Sequence, residues 1–305
     1  MHRALTVVGA PSNVGARPYD DGVARDLDLA PAVLRERGVI ARLGAVDLGD
    51  VAAPRYQDLA RPAHRVRNEA QIEAYSRALA ERLSLAIGDG QFGVVIGGDC
   101  SILLACLLAA RRKYGRELGL VYVDAHADFA VDEESPSGAV AGMALALATG
   151  RGRSRLARLA GAASLVEGRR AALVGRRGTD GGRGGHAAVA ASSILDVPSA
   201  QLLADDWLEL AALTLDQVAS PESRGFWIQL DVDVLNPAVM NAVDSPVPGG
   251  PTPRQLERML APLVRHPKAL GLSVTTYDPA LDPDRSCARQ LVGFLEALLA
   301  PLASR

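Results

Sequence analysis

Residues 118–128 read LGLVYVDAHAD, and this stretch decides the fold that we expect. Six uncharged residues are followed directly by three polar side chains at alternate positions, Asp124, His126 and Asp128. A short, uninterrupted apolar run is typical of a strand buried on both faces in a parallel sheet. Polar residues at the end of such a strand indicate a ligand site, because parallel sheets bind ligands at the carboxyl ends of their strands.

The same pattern recurs along the chain. Apolar runs alternate with Ala-, Leu- and Arg-rich stretches of helical spacing, which predicts parallel βα units. The predicted strands cover 4–9, 41–46, 92–96, 118–123, 171–174, 194–197, 226–232 and 270–275. The predicted helices cover 30–38, 69–87, 102–114, 142–148, 253–265 and 285–302. No repeat or linker divides the chain, so we expect one domain over residues 1–305 with one extended sheet, and a (β/α)₈ barrel is the alternative.

Composition excludes several classes of protein. The 305 residues carry 33 Lys and Arg against 35 Asp and Glu, a net charge of −2, and 49% of them are hydrophobic. This balance predicts a folded chain with no electrostatic field for nucleic acid, and therefore a small-molecule substrate. Three cysteines fit a reducing compartment, and no run reaches the roughly 18 apolar residues of a membrane span. We expect a cytoplasmic protein without a membrane or nucleic-acid partner.

Glycine-rich segments do not indicate a nucleotide site. Residues 175–185 read GRRGTDGGRGG, without the Gly-Lys-Ser/Thr ending of a phosphate-binding loop. We expect a surface loop there, and a polar loop at 132–138. No Gly-x-Gly-x-x-Gly follows the first predicted strand, which argues against an NAD-dependent oxidoreductase.

A second acidic pair makes the strand ends a candidate metal centre. Asp231 and Asp233 end the predicted strand 226–232, and residues two apart in extended chain point to the same side. Like charges about 4 Å apart repel by about 4 kcal/mol near a protein surface, and divalent cations would relieve this. Oxygen ligands with one imidazole favour Mn²⁺, with Fe²⁺, Co²⁺ or Zn²⁺ as alternatives, and a bridged metal pair lowers the pKa of a shared water. The alternative is a set of aspartates that cap helices and bind loop amides.

The motifs also carry a family resemblance. Their order and spacing are similar to those of the arginase/agmatinase/formiminoglutamase (ureohydrolase) superfamily, of which the chain resembles a divergent member. The matching segments are GGDCS at 97–101, DAHAD at 124–128, DVDVLNP at 231–237, Ser245-Pro246, Gly249-Gly250, and the opening Gly9-Ala10-Pro11 with Gly22 and PAVLR at 31–35.

The resemblance implies a three-layer α/β/α fold with a mostly parallel sheet of about eight strands. It also implies two Mn²⁺ ions and hydrolysis of a C–N bond in a linear amidine or guanidine by a metal-bridging hydroxide, which Asp128 would orient as the catalytic residue. The implied ligands are Cys100, Asp124, Asp128 and Asp231 for one metal, and His126, Asp124, Asp231 and Asp233 for the other. Family members are commonly trimers or hexamers.

Cys100 departs from the pattern, because the family usually has a histidine there. A thiolate ligand would shift the preference from Mn²⁺ toward Fe²⁺, Co²⁺ or Zn²⁺. The alternative role of Cys100 is that of a small buried hydrophobic residue at a helix start.

The residues at the substrate-binding positions differ further from the family pattern. Ala130, Ala139 and Ala141 stand where arginases have polar groups, and Thr276 replaces a guanidinium-binding glutamate. Ser137 and Asp180 match substrate contacts, although Ser137 is equally consistent with an exposed loop serine. Two more residues, Asp244 and Asp278, are open to a displaced negative charge or to a turn role.

These departures make plain arginine a doubtful substrate, because a hydroxyl cannot pair with a guanidinium as a carboxylate does. A modified guanidine such as an N-hydroxyguanidine would need less of a carboxylate clamp, since it is less basic. The alternative function is that of a non-catalytic or single-metal relative that acts as a binding protein.

Overall fold

Eight strands, all paired in parallel, form one sheet in the computed structural model of the protein, which describes residues 2–59, 65–177, 185–204 and 206–303. The strands are Ala4–Ala10 (β1), Val46–Asp50 (β2), Gln91–Gly97 (β3), Leu118–Val123 (β4), Ala171–Val174 (β5), Leu195–Val197 (β6), Gly225–Asp231 (β7) and Ala269–Thr275 (β8). Their order across the sheet is β2-β1-β3-β8-β7-β4-β5-β6. The sheet is open, with β2 and β6 at its edges, so the barrel alternative is wrong.

Helices cover both faces of the sheet. They are Ala30–Glu36 (α1), Val39–Leu43 (α2), Glu69–Leu83 (α3), Ile102–Tyr114 (α4), Ala144–Ala148 (α5), Gly185–Ala190 (α6), Ser199–Leu202 (α7), Trp207–Val218 (α8), Pro253–Arg265 (α9) and Ser286–Ala303 (α10). Helices α1, α2, α7, α8, α9 and α10 contribute to one apolar core, and α3 to α6 contribute to the other. The predicted three-layer α/β/α fold with an eight-stranded parallel sheet is confirmed.

One predicted strand is wrong. Residues 41–46 were expected to be extended, but Val39–Leu43 is helical and the strand begins at Val46. Gly38 and Gly44 both adopt left-handed backbone conformations, with φ of 83° and 59°, and they bound this short helix. The strand that follows lies at the sheet edge, so most of it is solvated and it lacks the apolar run that marks the inner strands.

Helix α8 lies where no element is predicted. Its sequence WLELAALTLDQV is apolar on several sides, and Leu208 and Leu213 are exposed although Leu210 and Val218 are buried. Helical periodicity is recognised in a sequence when apolar residues alternate with a polar face. This helix lacks a clear polar face, so its sequence does not show the pattern.

Four adjacent inner strands position the candidate site. Strands β3, β8, β7 and β4 are neighbours, and because they are parallel their carboxyl ends meet at one edge of the sheet. Among the described residues, no helix has the length and apolarity needed to cross a bilayer.

Candidate metal centre

The segment after β4 is held in a fixed shape by its own side chains. The His126 amide donates to Asp124 Oδ1 at 2.6 Å, and the Asp124 amide donates to the Val174 carbonyl at 3.0 Å. Asp128 has a φ of 45°, which is uncommon for a residue other than glycine. Tyr122 donates its hydroxyl to Asp128 Oδ2 at 2.5 Å. Strain of this kind is characteristic of functional sites, where the surroundings enforce it.

The segment after β7 is tied to the one after β4. Asp231 Oδ1 accepts from the Asp233 amide at 2.9 Å, and Asp233 Oδ1 accepts from the Ala125 amide at 3.1 Å. The second oxygen of Asp233 lies 2.9 Å from His126 Nδ1. Asp233 therefore contacts the imidazole directly, and Asp231 is connected to it through the Asp233 amide.

Arg177 fixes the segment after β7 from the other side. Its guanidinium donates to the carbonyls of Asp233 at 2.9 Å, Val234 at 2.8 Å and Val247 at 2.9 Å. Burial lowers the pKa of this guanidinium, although nearby carboxylates act in the opposite direction. One half-buried side chain thus connects the chain near Asp233 with the segment after Asp244.

Cys100 enters the site through a close backbone approach. A Cβ on Gly98 would lie 1.6 Å from the Ser12 carbonyl oxygen, so only glycine fits between β3 and that loop. Just beyond this contact, Cys100 Sγ donates to Asp231 Oδ2 at 2.8 Å and lies 3.4 Å from Thr276 Oγ1. The Thr276 hydroxyl also donates to Asp231 Oδ2. Asp231 is thereby oriented by two donors, one from the segment after β3 and one from the segment after β8.

Two groups of ligating atoms result, and they share one carboxylate. Within each group, all atoms lie within 4.8 Å of one another. The first contains Cys100, Asp124 and Asp128, and the second contains Asp124, His126 and Asp233. Asp231 accepts a hydrogen bond from Cys100 and so lies beside the first group. It is not a member of either group at the 4.8 Å limit. We call Cys100, Asp124, His126, Asp128, Asp231 and Asp233 the ligand cluster.

Electrostatics favour a cation in the ligand cluster. Burial raises the pKa of Asp124 well above its ordinary value, and three neighbouring carboxylates raise it further. Burial likewise raises the pKa of Asp231. Burial alone would lower the pKa of His126, but its bonds to Asp124 and Asp233 raise it to about 12. The carboxylates are therefore ionised together only when positive charge lies between them. A protonated His126 supplies part of this charge, and divalent metal ions would supply the rest.

Above the ligand cluster lies a cavity of about 320 Å³. Its lining includes Ala130, Ser137, Ala139, Ala141 and Thr276, which we call the neutral wall. Ser137 lines the cavity and its Oγ accepts from the Ala139 amide at 3.2 Å. Asp244 also lines the cavity, whereas Asp278 is fully buried and is absent from the lining. Asp180 lies outside the described residues.

Comparison with known proteins agrees with this geometry. The model of the Arginase family matches residues 5–300. The chain belongs to the arginase family. It is 27% identical over 300 residues to an arginase from Staphylococcus aureus, with 96% of each chain covered. The structure of arginase from Bacillus caldovelox superposes with a TM-score of 0.85 at 26% identity, over 97% of this chain and 98% of that one. Formimidoylglutamase from Bacillus subtilis shares the fold, with a TM-score of 0.76 at 18% identity, over 99% of this chain and 87% of that one.

Arginase family members are metal-dependent hydrolases of C–N bonds, and the ligand cluster fits that requirement. Its donors are carboxylate oxygens, one imidazole and one sulfur, all suitable for a divalent transition metal. Burial and the adjacent carboxylates raise the pKa of the Cys100 thiol well above its ordinary value. Sulfur therefore becomes a ligand only when a cation is present to favour the thiolate.

Two supporting residues are not predicted from the sequence. Tyr122 lies two positions before Asp124, so strand alternation was a signal that its side chain reaches the same side. Arg177 gave no signal, because its carbonyl partners come from a loop 56 to 71 residues further along the chain.

Proposed function

We propose that this arginase family member hydrolyses a C–N bond of a linear amidine or guanidine, using two divalent metals held by the ligand cluster. The observation that carries the proposal is the pair of ligand groups sharing Asp124 beneath an open cavity. A shared carboxylate is what a metal pair needs, since it holds both ions close enough to act on one water.

The ligand assignment takes the two groups of ligating atoms and adds Asp231, which is hydrogen-bonded to Cys100 beside the first group. Cys100, Asp124, Asp128 and Asp231 would hold one metal. His126, Asp124, Asp231 and Asp233 would hold the other. The metals would supply Lewis acidity that lowers the pKa of a water molecule. We propose Mn²⁺ as the family metal, with Fe²⁺, Co²⁺ or Zn²⁺ as the candidates that the sulfur of Cys100 favours.

Asp128 is the proposed catalytic residue. Tyr122 donates to one of its oxygens, and the left-handed backbone at Asp128 fixes the direction of the carboxylate. Asp128 would orient the attacking water and accept its proton as oxygen adds to the amidine carbon. The same proton would pass to the departing amine as the C–N bond breaks, because Ala141 offers no proton shuttle.

The neutral wall suggests which guanidine is the substrate. Thr276 replaces the family glutamate, and its hydroxyl is already donated to Asp231. We propose a small-molecule substrate other than plain arginine, such as an N-hydroxyguanidine, whose lower basicity reduces the need for a carboxylate at that position. Ser137 and Asp180 remain proposed substrate contacts.

The experiment loads the full chain with Mn²⁺, Fe²⁺ or Zn²⁺ and measures release of urea, substituted urea or ammonia from a panel of guanidines and amidines. We expect turnover with at least one pair of metal and substrate, and none in the Asp124→Asn variant. Absence of turnover across the whole panel, with two metals bound, would contradict the proposal.

A second candidate function has its own supporting observation. Cys100 and Thr276 both donate to Asp231 Oδ2, so protein donors partly satisfy one proposed bridging carboxylate. A single-metal or non-catalytic relative acting as a binding protein would show fewer than two metals per chain and no turnover. A trimeric or hexameric assembly and a cytoplasmic location stay predictions.

A further inference from the structure

Three aspartates near the cavity stand outside the ligand cluster, and their surroundings differ. Asp99 accepts from the Ser12 hydroxyl and from the amides of Gly15 and Ser101, so its oxygens are committed to the loop. Asp278 accepts from the Tyr19 hydroxyl at 2.8 Å and from a backbone amide, and it is fully buried. Asp244 lines the cavity with 22% of its side chain exposed.

Arg25 forms an ion pair with Asp244 but donates no aligned hydrogen bond to it from Nη1. The Arg25 side chain is 2% exposed, and its guanidinium stacks on the Tyr19 ring at 4.1 Å. Its Nε donates to the Arg17 carbonyl at 2.7 Å. Nη1 lies 3.0 Å from Asp244 Oδ2, yet this buried atom makes no aligned hydrogen bond. Arg25 therefore holds Asp244 by charge, and Asp244 remains partly exposed among the residues that line the cavity.

Asp244 also lines the same cavity as the second group of ligands, Asp124, His126 and Asp233. Burial raises the pKa of Asp244, whereas the charge of Arg25 lowers it. Among the described lining residues, Asp244 is the one carboxylate that neither belongs to the ligand cluster nor accepts from backbone amides.

We propose that Asp244 binds the positively charged nitrogen group of the substrate and determines specificity for a cationic guanidine or amidine. The inference rests on the proposed function and extends it. Asp244 lies on the loop after β7, so it would supply a negative charge at a position different from that of the neutral Thr276. The cationic group would be either the guanidinium itself or an ammonium elsewhere on the same molecule, and the experiment separates the two.

The test measures binding by calorimetry to the full, metal-loaded chain, using n-propylguanidinium, n-butylammonium and the neutral n-butylurea as probes. Asp244→Asn keeps the shape and removes the charge. Asp216→Asn is the matched control, because it changes net charge equally at an exposed side chain on α8 that does not line the cavity. We expect Asp244→Asn to raise the dissociation constant of one cationic probe by about tenfold to a hundredfold. The probe that is affected identifies the group bound.

Asp244→Asn should leave the binding of n-butylurea and the number of metals per chain unchanged, and Asp216→Asn should leave all affinities unchanged. Asp244→Glu should recover most of the affinity for the cation, which a purely structural role would not predict. If Asp244→Asn binds both cations as tightly as the wild type, retains its metals and turns over a guanidine, the proposed role of Asp244 is wrong and the proposed function stands. A wild-type chain that neither turns over any guanidine nor binds either cation would overturn the proposed function with it.

Discussion

The ligand cluster and the neutral wall face the same cavity but are built in different ways. The cluster lies at the ends of inner strands and is fixed by backbone amides, Tyr122 and Arg177. The neutral wall presents mainly small side chains from the segment around 130–141, with Thr276 as its one strand-end member. The difference teaches that the reaction type is set by the strand ends, whereas the choice of substrate depends on the surrounding loops.

The largest expected effect comes from removing the shared carboxylate. Asp124→Asn should abolish binding of at least one metal and lower kcat by about a thousandfold or more, because Asp124 belongs to both ligand groups. Elemental analysis and turnover measure these effects, with Asp216→Asn as the control for charge. A variant that keeps two metals and full activity would remove Asp124 from the centre.

The stability cost of replacing a glycine should differ between a strand end and helix α10. Gly98→Ala should lower the free energy of unfolding by about 3 kcal/mol, because the new Cβ would lie 1.6 Å from the Ser12 carbonyl oxygen. Gly293→Ala in α10 meets no atom within 4 Å and should raise the free energy of unfolding by about 0.5–1 kcal/mol. Chemical denaturation measures both, and equal effects would contradict the proposed close approach.

Cys100 tests whether the cluster tunes its metal. Cys100→His should shift the preference toward Mn²⁺ over Zn²⁺ by about tenfold, because imidazole is a harder ligand than thiolate. Metal competition measures the ratio. Cys287→Ser is the control, since that buried thiol contacts Asn241 instead of the cluster. An unchanged ratio would indicate that Cys100 is only a small buried side chain.

The smallest effect is expected on the neutral wall. Ser137→Ala should raise KM by about threefold to tenfold with little change in kcat, because one neutral hydrogen bond to substrate is lost. Steady-state kinetics on the active substrate measures the split. If KM does not change, Ser137 serves only the loop, where it accepts from the Ala139 amide.

The sequence predicted the parts of the molecule in which local pattern and burial agree. Strand β4 was predicted with its observed bounds, because both of its faces are buried and its polar residues begin where it ends. The approach of Asp233 to Asp124 and His126 depends on the pairing of β4 with β7, which alternation within one strand does not predict. Local pattern failed at 41–46, where glycine conformations override apolar spacing, and at α8, which lacks a polar face.

Contacts between distant segments could not be predicted from one sequence. Asp244 and Asp278 are both aspartates in loops after strands, and the sequence does not distinguish their environments. In the structure, Asp278 is buried and accepts from Tyr19, whereas Asp244 is partly exposed and paired with Arg25. Arg177 is a similar case, since its partners are carbonyls that no side-chain pattern marks.

The most direct test of the metal pair is anomalous diffraction from crystals grown with Mn²⁺. We predict two peaks separated by roughly 3.5 Å, both next to Asp124, with one within bonding distance of Cys100 Sγ. A cluster without a peak, or with a single peak that Asp124 does not contact, would contradict the account.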